Sequence, residues 1–220
     1  MSFYIFDDLR ETSLQTEKNP NAQYTGKWCD ALPVEELTGD YEKCPICDAP
    51  VSRLRWLEPH KISLSNTKYP DRLSWWIKDP AIISDRVKIA YEKEGILGIK
   101  KFAPVNITKV AHMKASSPKP PQYFATEINY TLNVRVDVEN SIAIGQRDDR
   151  LCALCNPFGI TRDQIVKISL NTTMWKGEDI FKVYSLGVVV SQKFYDIVQK
   201  YNFSNFNLVS VDKYQKKLDG

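Results

Sequence analysis

Two stretches of the chain share one pattern of apolar and polar positions, in which apolar residues recur at i, i+4, i+7 and i+8. This spacing places the apolar side chains on one face of an α-helix. Ser84 and Ser191 precede the two patterns as N-caps, and Gly95 and Asn202 follow them as left-handed residues that end a helix. The pattern therefore predicts two equivalent helices. Their apolar positions are Ile83, Val87, Ala90 and Tyr91 in the first, and Val190, Phe194, Ile197 and Val198 in the second.

Each predicted helix leads into an apolar-rich stretch, and we expect a strand over residues 96–105 and another over residues 203–211. A further region, residues 123–140, alternates between apolar and polar positions. Alternation with a period of two is typical of strands. Five apolar positions of this region are predicted to share one face: Tyr130, Leu132, Val134, Val136 and Val138.

Other matches recur at almost the same separation as the helices, which lie 107 residues apart. The tetrapeptide Lys-Ile-Ser-Leu occurs at 61–64 and again at 167–170, and two CxxC pairs begin 108 residues apart. Coincidence among short apolar motifs would explain any one match. Because the matches keep one order and nearly one offset, they favour an internal duplication.

We therefore predict an α+β fold with mixed or antiparallel sheets, two equivalent helices and a pseudo-two-fold internal repeat joined by a metal site. The whole chain is expected to form a single two-lobed domain, since 220 residues suffice for one large core. Its predicted parts are an N-terminal flank over 1–43, half-repeats over about 44–105 and 152–211, and a strand-rich connection over 106–151.

The two CxxC pairs are Cys44-Pro-Ile-Cys47 and Cys152-Ala-Leu-Cys155. A two-residue spacer lets both sulfurs of a pair face one ion, and two pairs complete a tetrahedral S4 shell, the usual shell of structural zinc. Asp48 and Asn156 follow the pairs, and both tolerate the positive φ that such turns often need. The predicted Zn²⁺ ligands, shared between the halves, are Cys44, Cys47, Cys152 and Cys155.

Composition narrows the classes of protein that fit. Hydrophobic residues make up 43% and charged residues 26% of the chain, as in ordinary globular proteins. A net charge of +3 is too balanced for a dedicated nucleic-acid coat. Neither a signal peptide nor a membrane span stands out, so we expect a cytoplasmic protein without membrane contact. In that compartment thiols stay reduced, and paired cysteines bind metal more often than they form disulfides.

Motifs for catalysis are missing from the sequence, which contains no phosphate-binding loop, zinc-protease motif or nucleophile elbow. His60 and His112 stand alone, and such histidines are more often structural or exposed than catalytic. We predict a protein that is not an enzyme and has no catalytic residues. Cys29 has no CxxC mate and is expected to be a buried small apolar side chain. Acids of the flank form either part of a partner surface or a solvated edge: Asp7, Asp8, Glu11, Glu35, Glu36, Asp40 and Glu42.

The chain resembles the bacterial double-CxxCG-motif proteins, which are regarded as immunity proteins of polymorphic toxin systems. The resemblance spans roughly residues 40–211 and departs from the family where Asp48 and Asn156 replace the glycines that follow each CxxC pair. It is carried by the first pair, by Pro120–Tyr123, by Val136–Ser141 leading into the second pair, and by a closing run of Ile168–Leu170, Asp179–Phe181 and Val190–Phe206.

The resemblance implies a cytoplasmic protein that binds and neutralises a cognate toxin in bacterial competition, with the four cysteines as ligands of a structural zinc. Such neutralisation is surface occlusion by a preformed patch. The sequence identifies neither the toxin-binding residues nor the oligomeric state. The alternative is a zinc-knuckle nucleic-acid-binding protein. It has a basic tail at Lys213–Lys217 in its favour, but no basic stripe, so nucleic acid is an unlikely partner.

Overall fold

The computed structural model describes residues 2–6, 29–34, 37–52, 54–75, 81–144, 151–158 and 165–214. These residues form an α+β fold of mostly strands with two α-helices, as the sequence predicts. The helices are α1 Asp85–Lys93 and α2 Gln192–Lys200. The strands are β1 Phe3–Phe6, β2 Asp30–Pro33, β3 His60–Leu64, β4 Arg72–Trp75, β5 Ile82–Ser84, β6 Ile99–Val110, β7 Tyr123–Ile128, β8 Tyr130–Thr131, β9 Arg135–Val136, β10 Ile142–Ala143, β11 Ile165–Lys167, β12 Leu170–Asn171, β13 Ile180–Val183, β14 Gly187–Ser191 and β15 Leu208–Ser210.

Six strands close into a barrel in the order β2-β3-β6-β7-β5-β4. Pairing is parallel between β3 and β6 and between β2 and β4, and antiparallel elsewhere. In strand β3, every second side chain is buried, namely His60, Ile62 and Leu64, while the residues between them are only partly buried. Such alternation is typical of a strand with one face toward a core. Cys29 packs in the barrel core and is fully buried, as predicted.

A second, open sheet has the strand order β15-β1-β14-β13-β8. Strand β1 lies inside it, antiparallel to both β14 and β15. The N-terminal region, which we expected to be a flank, thus supplies a central strand, because Phe3 and Ile5 are buried on one face. Two short ladders, β9 with β12 and β10 with β11, lie beside this sheet.

The two helices begin and end as the pattern predicts, with Ser84 and Ser191 at the N-cap positions. Gly95 has a φ of 60° and Asn202 a φ of 47°, which confirms the left-handed ends. All eight apolar positions of the two stripes are buried, and all belong to one hydrophobic cluster. One core therefore joins α1 and α2. Neither helix is long and apolar enough to cross a membrane, considering the described residues.

Asp71, just before β4, ties the start of α1 to the segment after α2. Its carboxylate accepts hydrogen bonds from the Ser84 hydroxyl at 3.1 Å and from the backbone N–H of Ser204 at 2.9 Å. The Arg86 guanidinium pairs with it at 3.0 Å and also donates to the Tyr201 carbonyl at the end of α2. The Ser84 hydroxyl thus serves this contact and makes no cap hydrogen bond to its own helix.

Asp179, just before β13, does the same for the start of α2. It accepts from the Ser191 hydroxyl at 2.6 Å and from the backbone N–H of Leu97 at 3.1 Å. The Lys193 ammonium lies 3.6 Å from it and donates to the Gly95 carbonyl at 2.7 Å. Each aspartate therefore fixes its own helix against the segment that follows the other helix.

Two strand predictions are wrong in detail. Strand β8 ends at Thr131, whose hydroxyl accepts from the backbone N–H of Asn133 at 3.1 Å and turns the chain. Leu132 is therefore exposed while Val134 is fully buried, and the five apolar positions of this region do not share one face. The predicted strand over 203–211 shortens to β15, because the residues before it form a turn.

The second Lys-Ile-Ser-Leu segment also differs from the first. Residues 61–64 lie in β3, whereas residues 167–170 span the end of β11 and the start of β12. Ile62 and Ile168 are both buried at matching places of the two segments. The second segment therefore keeps the buried isoleucine of the first, but it does not form one continuous strand.

Candidate metal centre

The first CxxC pair lies at the end of a hairpin-shaped segment, here called the knuckle hairpin, described at residues 37–52 and 54–57. Antiparallel bridges join Thr38 to Trp56 and Lys43 to Pro50. At the tip, the backbone N–H of Cys44 donates to the Ala49 carbonyl at 2.8 Å, and the Cys44 carbonyl accepts from the backbone N–H of Asp48 at 3.0 Å. These bonds fold the chain back sharply enough to turn both thiols of the pair toward one point.

Asp48 has a φ of 60°, the left-handed conformation anticipated for the residue after a CxxC pair. Asn156, at the matching place after the second pair, is absent from the described residues with positive φ. It still donates to the Cys152 carbonyl at 2.9 Å, as Asp48 does to Cys44. Leu154 and Phe158 are buried and anchor this second turn.

The four sulfur atoms lie within 4.8 Å of one another. The Cys44 and Cys152 sulfurs are 3.7 Å apart, and the Cys47 and Cys155 sulfurs 3.6 Å. A tetrahedral site with metal–sulfur bonds of about 2.3 Å has edges of about 3.8 Å. A disulfide needs about 2.05 Å, and all four thiols are free. The cluster therefore fits an S4 metal shell and could bind one metal ion.

Ionisation of the cluster also favours a cation. Backbone N–H groups of Cys155 and Leu154 lower the pKa of Cys152 to about 7, against the opposing effect of burial. Burial and the neighbouring sulfurs raise the pKa of Cys155. One thiolate forms readily at neutral pH, while a second is opposed by the first. A bound cation removes that repulsion, so metal affinity should rise with pH.

The knuckle hairpin contacts the open sheet next to the cluster. The Tyr130 hydroxyl donates to the Val51 carbonyl at 2.7 Å, and the Tyr130 ring stacks on Tyr184 with centroids 4.7 Å apart. Burial raises the pKa of Tyr184, and the nearby charges of Cys44 and Glu42 raise it further. The cluster therefore lies where the hairpin and the open sheet meet.

Among the other predicted residues, Cys29 lies in the barrel core and is not part of the cluster. The Cys29 thiol donates to the Asn66 carbonyl inside the barrel at 3.5 Å, and burial raises its pKa. Asp40 and Glu42 belong to the knuckle hairpin. The remaining acids of the flank lie outside the described residues: Asp7, Asp8, Glu11, Glu35 and Glu36.

His60, which belongs to no catalytic motif, lines a cavity. His60 is only 5% exposed, and it lines the space between the barrel and the knuckle hairpin. The sequence did contain a signal, because alternation along the Lys-Ile-Ser-Leu strand puts His60 on the same side as Ile62 and Leu64. That alternation indicates burial, but it says nothing about a cavity.

No protein-family model matches the chain, and no curated protein matches it significantly. Membership of the double-CxxCG family therefore stays a prediction from the residues quoted above.

Proposed function

We propose that this protein is an immunity protein that binds a cognate bacterial toxin in the cytoplasm and neutralises it by covering part of the toxin surface. The proposal assigns no catalytic residue to the chain. The observation that carries it is an accumulation of exposed apolar side chains beside the first CxxC pair. Exposed apolar clusters on a folded domain mark sites of protein association.

Sixteen large apolar side chains are exposed among the described residues, and seven of them fall within residues 32–57. The knuckle hairpin brings part of this set together, since the Leu57 N–H donates to the Leu37 carbonyl at 2.8 Å. We call these seven side chains the apolar rim: Leu32, Val34, Leu37, Tyr41, Ile46, Leu54 and Leu57. A surface of this kind suits an apolar hot spot surrounded by polar contacts.

The metal is proposed to be zinc with a structural role. Four thiolates with no water position suit Zn²⁺ and leave no open site for chemistry. Because the ligands come from distant parts of the chain, the ion would hold the knuckle hairpin against residues 151–158. The apolar rim would then be presented in one conformation, which lowers the entropy that binding costs.

We also infer that the chain is an internal repeat whose two copies are related by a pseudo-two-fold axis. Matching strand orders support this, namely β6-β7-β5-β4 in the barrel and β15-β1-β14-β13 in the open sheet. Registers agree as well: Tyr123 of β7 lies opposite Ser84, and Phe3 of β1 lies opposite Ser191. In this interpretation the copies extend beyond the half-repeats predicted above: the first begins with β1 and the second with β7, and each contributes that strand to the sheet of the other copy.

Further support comes from the outer pairings and the helix anchors. Strand β2 pairs in parallel with β4, and β8 pairs in parallel with β13. Asp71 and Asp179 bind the serine before each helix and a backbone N–H beyond the other helix. A cluster with one CxxC pair from each copy follows naturally from such an arrangement.

Co-expression tests the function. The proposal predicts a toxin gene adjacent to this gene, and that gene is expressed in a sensitive host, with and without the protein at equal level. Rescue of growth and a one-to-one complex are expected. A Leu37→Asp/Leu54→Asp variant should lose both, whereas the control variant Ile89→Asp/Met113→Asp, with charges on apolar positions elsewhere that are at least as exposed, should keep them.

Continued killing in the presence of the folded protein would contradict the proposal. A shift of DNA or RNA at about 50 mM salt that weakens as salt rises would support the nucleic-acid alternative instead. Elemental analysis of protein purified without chelators tests the metal separately, and about one zinc per chain is expected.

A further inference from the structure

The two CxxC turns differ at one matched position. The residue before the last cysteine of the pair is Ile46 in the first turn and Leu154 in the second. Leu154 is buried, with 6% of its surface exposed, whereas Ile46 is 65% exposed. The second turn shows that a CxxC pair can present its sulfurs to the cluster with this side chain buried. An isoleucine left in water gains free energy when another surface covers it.

The cluster reaches the surface of the protein beside Ile46. Cys47, the next residue, is exposed, and its sulfur lies 3.6 Å from the sulfur of Cys155 in the other turn. Leu151, directly before that other turn, is 42% exposed. Because all four sulfurs lie within 4.8 Å of one another, the two turns meet at the cluster. Exposed apolar side chains from both turns are therefore close to the exposed thiol.

Ile46 belongs to the apolar rim, and the tip that presents it is held in one conformation. The bridge between Lys43 and Pro50 closes the tip, and the two backbone hydrogen bonds of Cys44 lie inside it. A side chain on such a turn loses little conformational freedom when it is bound, which favours affinity. A fixed and exposed apolar side chain next to further apolar surface has the properties of a hot spot.

The segments around the two CxxC pairs carry an excess of negative charge, although the whole chain has a net charge of +3. Residues 35–57 contain five acidic and three basic side chains, and residues 145–164 contain three of each. Four thiolates around a divalent ion add two further negative charges. Asp40 and Asp48 are exposed, whereas Arg55, one of the three bases, already lies 3.9 Å from a glutamate. Charge complementarity therefore favours a basic partner surface.

We propose that the partner docks over the metal cluster, with Ile46 inserted into an apolar pocket on a basic surface of that partner. The partner is the toxin of the proposed function, on which this inference rests. The metal then lies inside the interface and does more than fix the knuckle hairpin. Two consequences follow from this position: Ile46 contributes a large share of the affinity, and the bound toxin keeps chelators away from the metal.

Affinity is measured by calorimetry between the full-length, zinc-loaded protein and the purified toxin that the predicted adjacent gene encodes. Ile46→Ala should weaken binding at least about tenfold, as the loss of a hot-spot side chain does. The matched variant Ile89→Ala, at a 61% exposed isoleucine on α1, should bind as the wild type does. Both variants should keep the metal, because neither residue is a ligand. Wild-type affinity in the Ile46→Ala variant would overturn the proposal.

Release of zinc to the chromogenic chelator 4-(2-pyridylazo)resorcinol tests the position of the metal. At a toxin concentration about ten times Kd, about a tenth of the protein is free, so release should slow about tenfold. An unchanged release rate in the formed complex would place the metal outside the interface and overturn the proposal.

Salt dependence tests the charge of the partner surface. Raising salt from about 50 to about 500 mM should slow association at least about tenfold. The Asp40→Asn/Asp48→Asn variant should reduce this dependence, and asparagine tolerates the positive φ at position 48. The control variant Asp196→Asn/Asp212→Asn, at exposed acids elsewhere, should not reduce it. Association that does not respond to salt would contradict a basic docking surface.

The wild-type protein separates the two levels of the argument. If it neither binds nor neutralises the toxin, the proposed function is wrong. If it does both, while Ile46→Ala binds normally and the metal remains open to the chelator, the toxin docks elsewhere and only the inference about the metal surface is wrong.

Discussion

The barrel and the open sheet differ mainly in one strand. Strand β6 runs for 12 residues and pairs with β7 along one edge and with β3 along the other. Its counterpart in strand order, β15, has three residues, and in the part of the chain that the structure describes its partner is β1 alone. Strand β6 pairs with β7 over Ile99–Val105 and with β3 over Val105–Val110, so its second half reaches β3. Strand β15 ends where its pairing with β1 ends, and its sheet stays open at that edge.

Strand β15 is shorter than β6 because another element follows it directly. A 3-10 turn over Val211–Lys213 follows at once, and Val211 is buried in the core of the open sheet. Strand β3 lies beside β6 in the barrel, whereas no described strand lies on the matching edge of β15; β9 with β12 and β10 with β11 form separate two-stranded ladders. The same order of four strands thus occurs once within a closed barrel and once within an open sheet.

The largest effect is expected when the chain is cut between Pro118 and Lys119, in an exposed loop between β6 and β7. The cut tests whether the barrel and the open sheet each need a strand from the other piece. The first piece lacks β7, which lies between β6 and β5, and the second lacks β1, which lies between β15 and β14. We expect neither piece to fold alone and a one-to-one mixture with zinc to recover the native circular dichroism. Cooperative unfolding of either isolated piece would show that the sheets do not depend on exchanged strands.

Loss of one cysteine ligand should have the same effect on metal content and stability whichever CxxC pair it belongs to. Cys44→Ser and Cys152→Ser are each expected to abolish stoichiometric metal and to cost more than about 3 kcal/mol of unfolding free energy, because structural zinc contributes about 10–16 kcal/mol of apparent binding energy in zinc fingers. Elemental analysis and urea unfolding measure both effects. Cys29→Ala, also at a buried cysteine, should retain the metal. Full metal content in either serine variant would refute the shared site.

The two helix anchors should differ in degree. Asp71→Asn and Asp179→Asn should each cost about 2–4 kcal/mol, since hydrogen bonds to buried carboxylates are strong. Asp71 should cost more, because it accepts four hydrogen bonds from Ser84, Arg86 and Ser204. Chemical denaturation of both variants gives the ranking. A negligible loss at one position would mean that the two anchors are not equivalent.

The barrel should be the more acid-sensitive region, because it alone of the two contains a described buried histidine. Burial lowers the pKa of His60 in the folded protein below the ordinary value of about 6.5, so the unfolded chain binds the proton more readily. Stability is then complete above that value and declines as pH falls toward the folded pKa. His60→Asn should flatten this decline in unfolding free energy, and His112→Asn should leave it unchanged.

The smallest effects are expected at the helix ends, with opposite signs. Gly95→Ala should cost about 1 kcal/mol, because alanine is strained at positive φ. The position is otherwise open, since an added Cβ would meet no atom within 4 Å. Asn202→Gly should gain a few tenths of a kcal/mol or stay neutral. Thermal unfolding of the pair measures the difference, and a stabilising Gly95→Ala would contradict the assigned conformation.

Features set by local chemistry were predictable from the sequence. The stripes that begin at Ile83 and Val190 identified both helices, because a period of 3.6 depends only on neighbouring residues. Four cysteines in two CxxC pairs indicated one cluster, since thiol spacing is specific to metal shells. Asp48 in the left-handed conformation followed from the same turn chemistry.

Features set by distant pairing were not predictable. The placement of β1 between β14 and β15 depends on contacts about 190 residues apart, for which the four residues Phe3–Phe6 contain no signal. The apolar alternation after Tyr130 was misleading because the Thr131 hydroxyl bonds to the Asn133 N–H and breaks the strand. The cavity beside His60 also escaped prediction, since it depends on Ala103 facing Ala125 across two strands.

The position of β1 has a consequence for biosynthesis. This strand is synthesised well before its partners β14 and β15, which end at Ser191 and Ser210. At about 5–20 residues per second, it waits on the order of 10–40 s before they are made. During that time the apolar sequence Phe-Tyr-Ile-Phe is an unpaired strand with open hydrogen-bonding edges. We expect the nascent chain to need a chaperone at β1 until β14 and β15 have been synthesised.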